Sequence, residues 1–262
     1  MNELRRNIAA LAVLLVGAAL TVATLPARAD VAQTEQSAQA AGPQGASWAS
    51  IAKLPDWQGI WELDWQHSRS LMRPAPPKLL PAAQAKLDAY RKAQGSGENL
   101  QPQQANCLPP GMPGIMTQPY PIEFSYMPGK VVILIEAYMQ FRHIYTDGRT
   151  HPADPDDTFQ GHSIGHWEGD TLVVDTVGFV PFSQIAAGVG HSDQMRIVER
   201  IRRVGPENIE IQQTIIDPKV LAEPWTTVHP YRLVKDDLRE YICEQNNHDS
   251  ADEAGRPGIK VN

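Results

Sequence analysis

The sequence predicts an all-β fold: a single antiparallel meander forming a lipocalin-like barrel or one strongly curled sheet, with one N-terminal helix. Three observations predict it. From Ile122 onward, short runs rich in β-branched and aromatic residues recur at even spacing, separated by Pro128-Gly129, Asp147-Gly148, Glu168-Gly169-Asp170 and Gly205-Pro206-Glu207-Asn208. No helical pattern interrupts these runs, so successive strands are expected to pair through tight turns rather than βαβ crossovers. A sheet of roughly nine or ten strands then hides its edges by curling or closing.

At the N-terminus, Arg5 and Arg6 precede an uncharged stretch from Ile8 to Leu25 and then Ala27-Arg28-Ala29. A charged region, an apolar region and a small-x-small site predict a signal peptide over residues 1–29 and a periplasmic or secreted product starting at Asp30. The same stretch approaches a membrane span in length, so an uncleaved anchor is the alternative, and Arg5-Arg6 also suits a twin-arginine signal. After cleavage no membrane insertion is expected. Cleavage leaves 233 of the 262 residues, the size of one all-β domain.

Residues 30–54 are small and polar without an apolar period, and read as a flexible leader. The barrel domain is placed at 55–248 and opens with "LPDWQGIWELDW", an aromatic first strand. After the connection "RPAPPKLLP", the Ala, Leu, Lys and Gln content of "AAQAKLDAYRKAQ" predicts a helix ended by Gly95 and Gly97. The stretch "QPQQANCLPPGMPGIMTQPYP" has too many prolines for helix or central strand, and is expected to be an ordered loop laid over the fold. The strand runs that follow are "IEFSYM", "VVILIEAY", "FRHIYT", "HSIGHW", "TLVVDTV", "MRIVERIRRV", "IEIQQTII", "TVHPYRLV" and "EYICEQ", with 249–262 as a flexible tail.

Charge excludes one class of partner. Removing residues 1–29 takes away Arg5, Arg6, Arg28 and Glu3 from 23 basic and 30 acidic residues, leaving 20 against 29, a formal charge of −9. Such a surface repels phosphate backbones, so no nucleic-acid partner is expected. Cys107 and Cys243 are the only cysteines. In an oxidising compartment an even pair reads first as a disulfide, here tying a loop to the last strand, with two free buried thiols as the alternative.

Candidate site residues come from strand parity, since alternate side chains face opposite sides. His162, Ile164 and His166 share one face, and Ser163, Gly165 and Trp167 the other. Three acids stand out on apolar faces: Glu136 in "VVILIEAY", Glu199 beside Ile197 and Ile201, and Asp217 after Ile215. A carboxylate there must be paired or have a raised pKa, which makes each a salt-bridge or acid/base candidate. Arg142 and Arg200 are the natural partners. The loops add Tyr145, Asp147, Arg149 and His151 in "YTDGRTHP", and His191 in "GVGHSD".

The blocks "FRHIYTDGRTHP", "GHSIGHWEGDTLVVDTVGF", "HSDQMRIVERIRRV", "TIIDPKVLAEPW" and "EYICEQN", with "CLPPGMP" ahead of them, resemble a family of exported bacterial proteins that carry them in this order. The resemblance covers roughly residues 55–246; it implies a single exported domain and no particular substrate. "WEGDTLVV" also resembles the hairpin of lipocalin-like barrels. Members of the family often have arginine where this chain has His166, which speaks against an indispensable role there.

His162 and His166, four apart on one strand, lie about 13 Å apart and cannot chelate one ion. A metal site would need separate elements, such as His143, His162 and His191 with a carboxylate, and no HExxH spacing supports one. No GxSxG elbow or GxGxxG turn in a βαβ context is present, so no cofactor is expected. These exclusions leave a cofactor-independent acid/base enzyme of the lyase or isomerase type acting on a small apolar or aromatic molecule. In that reading His162 is the proton-transfer group, Glu199 or Glu136 orients it, Arg142 and Tyr145 stabilise negative charge, and His191 is a second proton carrier. Trp61, Trp167 and Trp225 are wall candidates. The alternatives are a non-catalytic lipocalin-like carrier and a metal-dependent hydrolase.

Overall fold

The computed structural model describes residues 46–65, 75–96 and 107–243, and the backbone of 249–251 and 257–259. The predicted signal peptide and most of the predicted leader lie outside these residues. Nine strands close into a barrel: β1 (Ile60–Leu63), β2 (Ile122–Met127), β3 (Lys130–Ile135), β4 (Gln140–Tyr145), β5 (His162–Glu168), β6 (Thr171–Val177), β9 (Arg196–Gly205), β10 (Asn208–Ile216) and β11 (Trp225–Val234). They stand in chain order around the ring, as a meander requires. A small hairpin of β7 (Gln184–Ala186) and β8 (Val189–Gly190) lies between β6 and β9 in the chain. β12 (Asp249–Ala251) and β13 (Pro257–Ile259) pair with each other inside the stretch read as a tail.

Eight junctions of the ring are antiparallel, while β4 and β5 run parallel, with Ile144 opposite Ser163. The parallel pair departs from a pure antiparallel meander for a geometric reason. Each antiparallel junction reverses strand direction, so a closed ring holds an even number of them, and an odd-stranded barrel must contain a parallel one. Parallel neighbours cannot be joined by a tight turn, and residues 146–161 supply the long return. The turns elsewhere are those expected: Gly169 has φ +60 between β5 and β6, a conformation that favours glycine.

The described part of "EYICEQ", residues 240–243, does not form a strand. β11 pairs with β1, Ile60 opposite Val234 and Leu63 opposite Tyr231, so no edge remains for a further strand. Residues 239–243 are instead held in coil, where the Arg239 backbone N–H donates to Glu136 (2.7 Å) and Tyr241 packs on Tyr120 and Tyr138. Cys107 and Cys243 are bonded to each other, so the disulfide ties the proline-rich loop to this coil rather than to a strand.

Inside the ring the side chains form layers. One end is closed by aromatic rings, Trp57 against Trp167 (5.1 Å between centroids) and against Phe124. Next comes an aliphatic band of Val131, Ile133, Ile144, Leu172, Val174, Ile201, Ile209 and Ile211, all buried. Each such side chain contributes roughly 1.5–3 kcal/mol. Around the other end, loop 107–121 folds inward: Met112, Ile115 and Met116 are buried, the Met112 N–H donates to Phe159 O (2.8 Å), and the Tyr231 hydroxyl donates to Met116 O (2.6 Å).

Two helices lie outside. α1 (Trp48–Ile51) is a short turn capped by Ser47 and Ser50 within the stretch read as leader. α2 (Pro81–Gly95) is the predicted helix, with Pro81 in its first turn and Ser96 at its end. It docks on the β7–β8 hairpin at Gly188, whose φ is +78 and where a Cβ would lie 2.4 Å from the Tyr90 ring. Only glycine meets both demands. Among the described residues no helix is long and apolar enough to cross a membrane.

Candidate functional site

The barrel interior carries a polar belt just below the inserted loop. Arg142 on β4 and Glu199 on β9 are fully buried and form an ion pair, with Arg142 Nη1 3.1 Å from Glu199 Oε1 and Nη2 bonded to Oε2. Two further guanidinium donors are used: Nε donates to Ser163 Oγ (3.2 Å) and Nη2 to Thr176 Oγ1 (2.8 Å), and these two hydroxyls lie 2.9 Å apart. Strand register explains the convergence, because Ser163 is opposite Thr176 and Glu199 is opposite Gln213, which is opposite Thr227. A buried charge pair persists only when its spare donors and acceptors are also satisfied.

From Glu199 the network runs toward an opening. Gln213 Nε2 donates to Glu199 Oε1 (3.0 Å), Gln213 Oε1 lies 3.1 Å from His229 Nε2, and His229 Nε2 lies 2.9 Å from Thr227 Oγ1. Burial pushes the His229 pKa down to about 4, with Glu199 partly opposing the shift, so the ring is neutral at neutral pH. Burial and Glu199 likewise raise the Tyr231 phenol pKa.

Gln213, Thr227 and His229 form the polar floor of a cavity of about 390 Å³, whose walls include Phe182, Ile185, Ile215 and Trp225 and whose rim is the proline-rich loop at Pro109, Pro110 and Pro113. That volume lies at the small end of the range for small-molecule sites, ~300–1,000 Å³. The Trp225 indole is pinned by its N–H to Ala75 O (2.8 Å).

The residues singled out from the sequence divide among four places. Arg142 and Glu199 meet in the interior, in the pairing expected, whereas Arg200 faces outward and binds Glu168 (2.9 Å). His162 and Tyr145 meet on the outer face, part-buried, with rings stacked at 5.6 Å. There His162 Nδ1 lies 2.8 Å from His151 Nδ1, Arg149 covers Tyr145 at 3.8 Å, and His151 approaches Asp175 (3.6 Å), which binds Arg196. Burial, His151 and Arg149 hold the His162 pKa below its ordinary value.

Glu136 does not sit in an apolar strand: β3 ends at Ile135, and Glu136 starts the next turn. His191 lies in a loop between Ser192 O (2.8 Å) and Val180 O (2.9 Å). Asp217, the third acid, is buried and accepts from the Ser192 N–H and hydroxyl (both 2.7 Å). His166 is exposed beside Glu168 (3.2 Å) on the hairpin.

The proposed acid/base set therefore does not share one cavity. The inner face of β5 carries Ser163, Gly165 and Trp167; the face with His162 and His166 is the outer one. Of the wall candidates, Trp225 lines the cavity, Trp167 helps close the far end, and Trp61 is fully buried in the core. For a metal, His143 and His162 border one outer groove and His191 another. Among the described residues no group of three or more His, Cys, Asp or Glu is placed to hold an ion.

Sequence reasoning missed Thr227 and His229, and Gln213 with them. Parity on "TVHPYRLV" would have found the first two, since Thr227 and His229 share a face with Tyr231. No protein-family model and no curated protein matches the chain.

Proposed function

We propose that the chain is an exported binding protein of lipocalin-like architecture that holds one small, uncharged, largely apolar or aromatic molecule at the open end of its barrel. The observation that carries this reading is the cavity itself: mostly apolar walls over a floor whose only titratable member, His229, is neutral. The buried charges behind the floor bond each other and cancel, so they add no demand for a charged ligand. Export rests on the N-terminal residues and the block resemblance, and the Cys107–Cys243 bond, typical of oxidising compartments, supports it.

A lyase or isomerase needs a proton-transfer group in contact with the ligand and with a pKa near the working pH. His229, at about 4, is a weak base, and His162 and Tyr145 stand on the opposite side of the barrel wall. Retention fits this geometry better than turnover.

Calorimetric titration with 2-naphthol tests the cavity. The wild type binds one molecule per chain, and Ala186→Trp, which fills the cavity from β7 without touching the polar belt, weakens binding about tenfold or more. Equal affinity in the two proteins overturns the assignment. Any natural ligand carried through purification, identified by native mass spectrometry, is recovered unchanged after incubation; its conversion would replace the carrier with the lyase or isomerase.

A further inference from the structure

Resting on the proposal that this cavity holds a ligand, we infer that its floor selects a neutral hydroxyl group, an alcohol or phenol, whose O–H donates to His229 Nδ1 and whose oxygen accepts from the Thr227 hydroxyl.

Glu199 is held as an acceptor by the donors of Arg142. The Gln213 side chain therefore presents its NH2 end to Glu199, 3.0 Å away, and its oxygen to His229 Nε2, 3.1 Å away. A carbonyl oxygen only accepts, so Nε2 must carry the ring proton. A neutral imidazole has one N–H, which leaves Nδ1 with its lone pair. His229 is 7% exposed and borders the cavity, and among the described residues no hydrogen bond reaches Nδ1.

The same tautomer sets Thr227. Its Oγ1 lies 2.9 Å from Nε2, whose one proton is shared with Gln213 Oε1 in a three-centre bond, so Thr227 only accepts there and its own proton is free for a ligand. Arg142 and Glu199 thus act as positioning residues, fixing through Gln213 which ring nitrogen faces the ligand as an acceptor.

One acceptor beside one donor discriminates sharply. A carboxylate or ether has no proton for Nδ1, and an ammonium has no lone pair for Thr227 and brings an unpaired charge into an apolar cavity. A hydroxyl satisfies both, and is the smallest group that does. A buried site built to bond an O–H rejects the analogue lacking it because its own polar atoms are left unpaired.

Three probes of one shape class separate the possibilities: 2-naphthol, 2-methoxynaphthalene and naphthalene, titrated into the mature protein. The naphthol binds about tenfold or more tighter than either comparator, and Thr227→Val removes most of that preference. Equal binding of naphthol and naphthalene overturns the hydroxyl inference and leaves the cavity assignment standing. Failure of all three to bind removes the cavity reading and this inference with it. Long-range ¹H–¹⁵N spectra of His229 give a readout that needs no ligand: the Nε2–H tautomer is expected, and the Nδ1–H tautomer contradicts the chain.

Discussion

Arg142 and His143 are neighbours in β4, as are His162 and Ser163 in β5, yet one of each pair faces the barrel interior and the other faces water. On the inner face Arg142, Ser163, Thr176, Glu199 and Gln213 bond one another without solvent. On the outer face Arg149 pairs with Asp147, Arg196 with Asp175, and His151 with His162, in a cluster of similar composition but part-exposed. The two clusters teach that residue type on these strands says little about energetic weight until the face is known. Inside, a lost partner strands a charge in a low dielectric; outside, water and salt take its place.

The sharpest break in the comparison is expected at Arg142. Arg142→Met leaves Glu199 buried and unpaired and lowers stability by about 3–5 kcal/mol, measured by urea unfolding, and adding Glu199→Met restores much of the loss. Arg196→Ala removes an outer ion pair and is expected to change stability by less than about 1 kcal/mol. Similar losses from the two changes would erase the distinction.

Smaller in effect is the response to acid. His229 has its pKa lowered from 6.5 to about 4 by folding. Between those values the unfolded chain takes up a proton that the folded one refuses, so stability present above about pH 6.5 is lost as pH falls toward 4. The total is roughly 3 kcal/mol. Unfolding free energies of wild type and His229→Gln measured over this window should differ in slope by close to one proton; parallel slopes would count against a neutral, desolvated His229. At the outer pair the sign is the same, because the His162 pKa is also lowered, but solvent screening leaves the effect smaller still. One proton lets His151 Nδ1 and His162 Nδ1 share an N–H···N bond, and a second would set two donors face to face.

How much the sequence reveals follows the same division. On β9 the alternation is interrupted only by Val198, with Ile197, Glu199 and Ile201 against Arg196, Arg200 and Arg202, so the burial of Glu199 and its pairing with Arg142 are legible. On β5 neither face is plainly apolar: Ser163, Gly165 and Trp167 look no more buried than His162, Ile164 and His166. Gly165 faces inward because Ile144 packs where its Cβ would stand, 2.8 Å away, a contact set by the neighbouring strand rather than by local pattern. His229 is followed by Pro230, a residue usually confined to edge strands, yet Pro230 sits within β11 between β1 and β10. The turn glycines, the helix and the cysteine pair are local or compartmental signals and could be read directly. The parallel junction and the closure of β11 on β1 depend on the parity of the whole ring, which no single segment encodes.

On the proposed reading the ligand-binding surface lies inside the barrel, at the floor formed by Gln213, Thr227 and His229, and not at the outer histidines. Chemical-shift mapping of the ¹⁵N-labelled mature protein during titration with 2-naphthol tests it most directly. Perturbations are expected to concentrate at Gln213, Thr227, His229 and the Trp225 indole, with His143, Tyr145 and His162 unmoved. Perturbations centred on His143, Tyr145 and His162, with the interior residues unchanged, would contradict it.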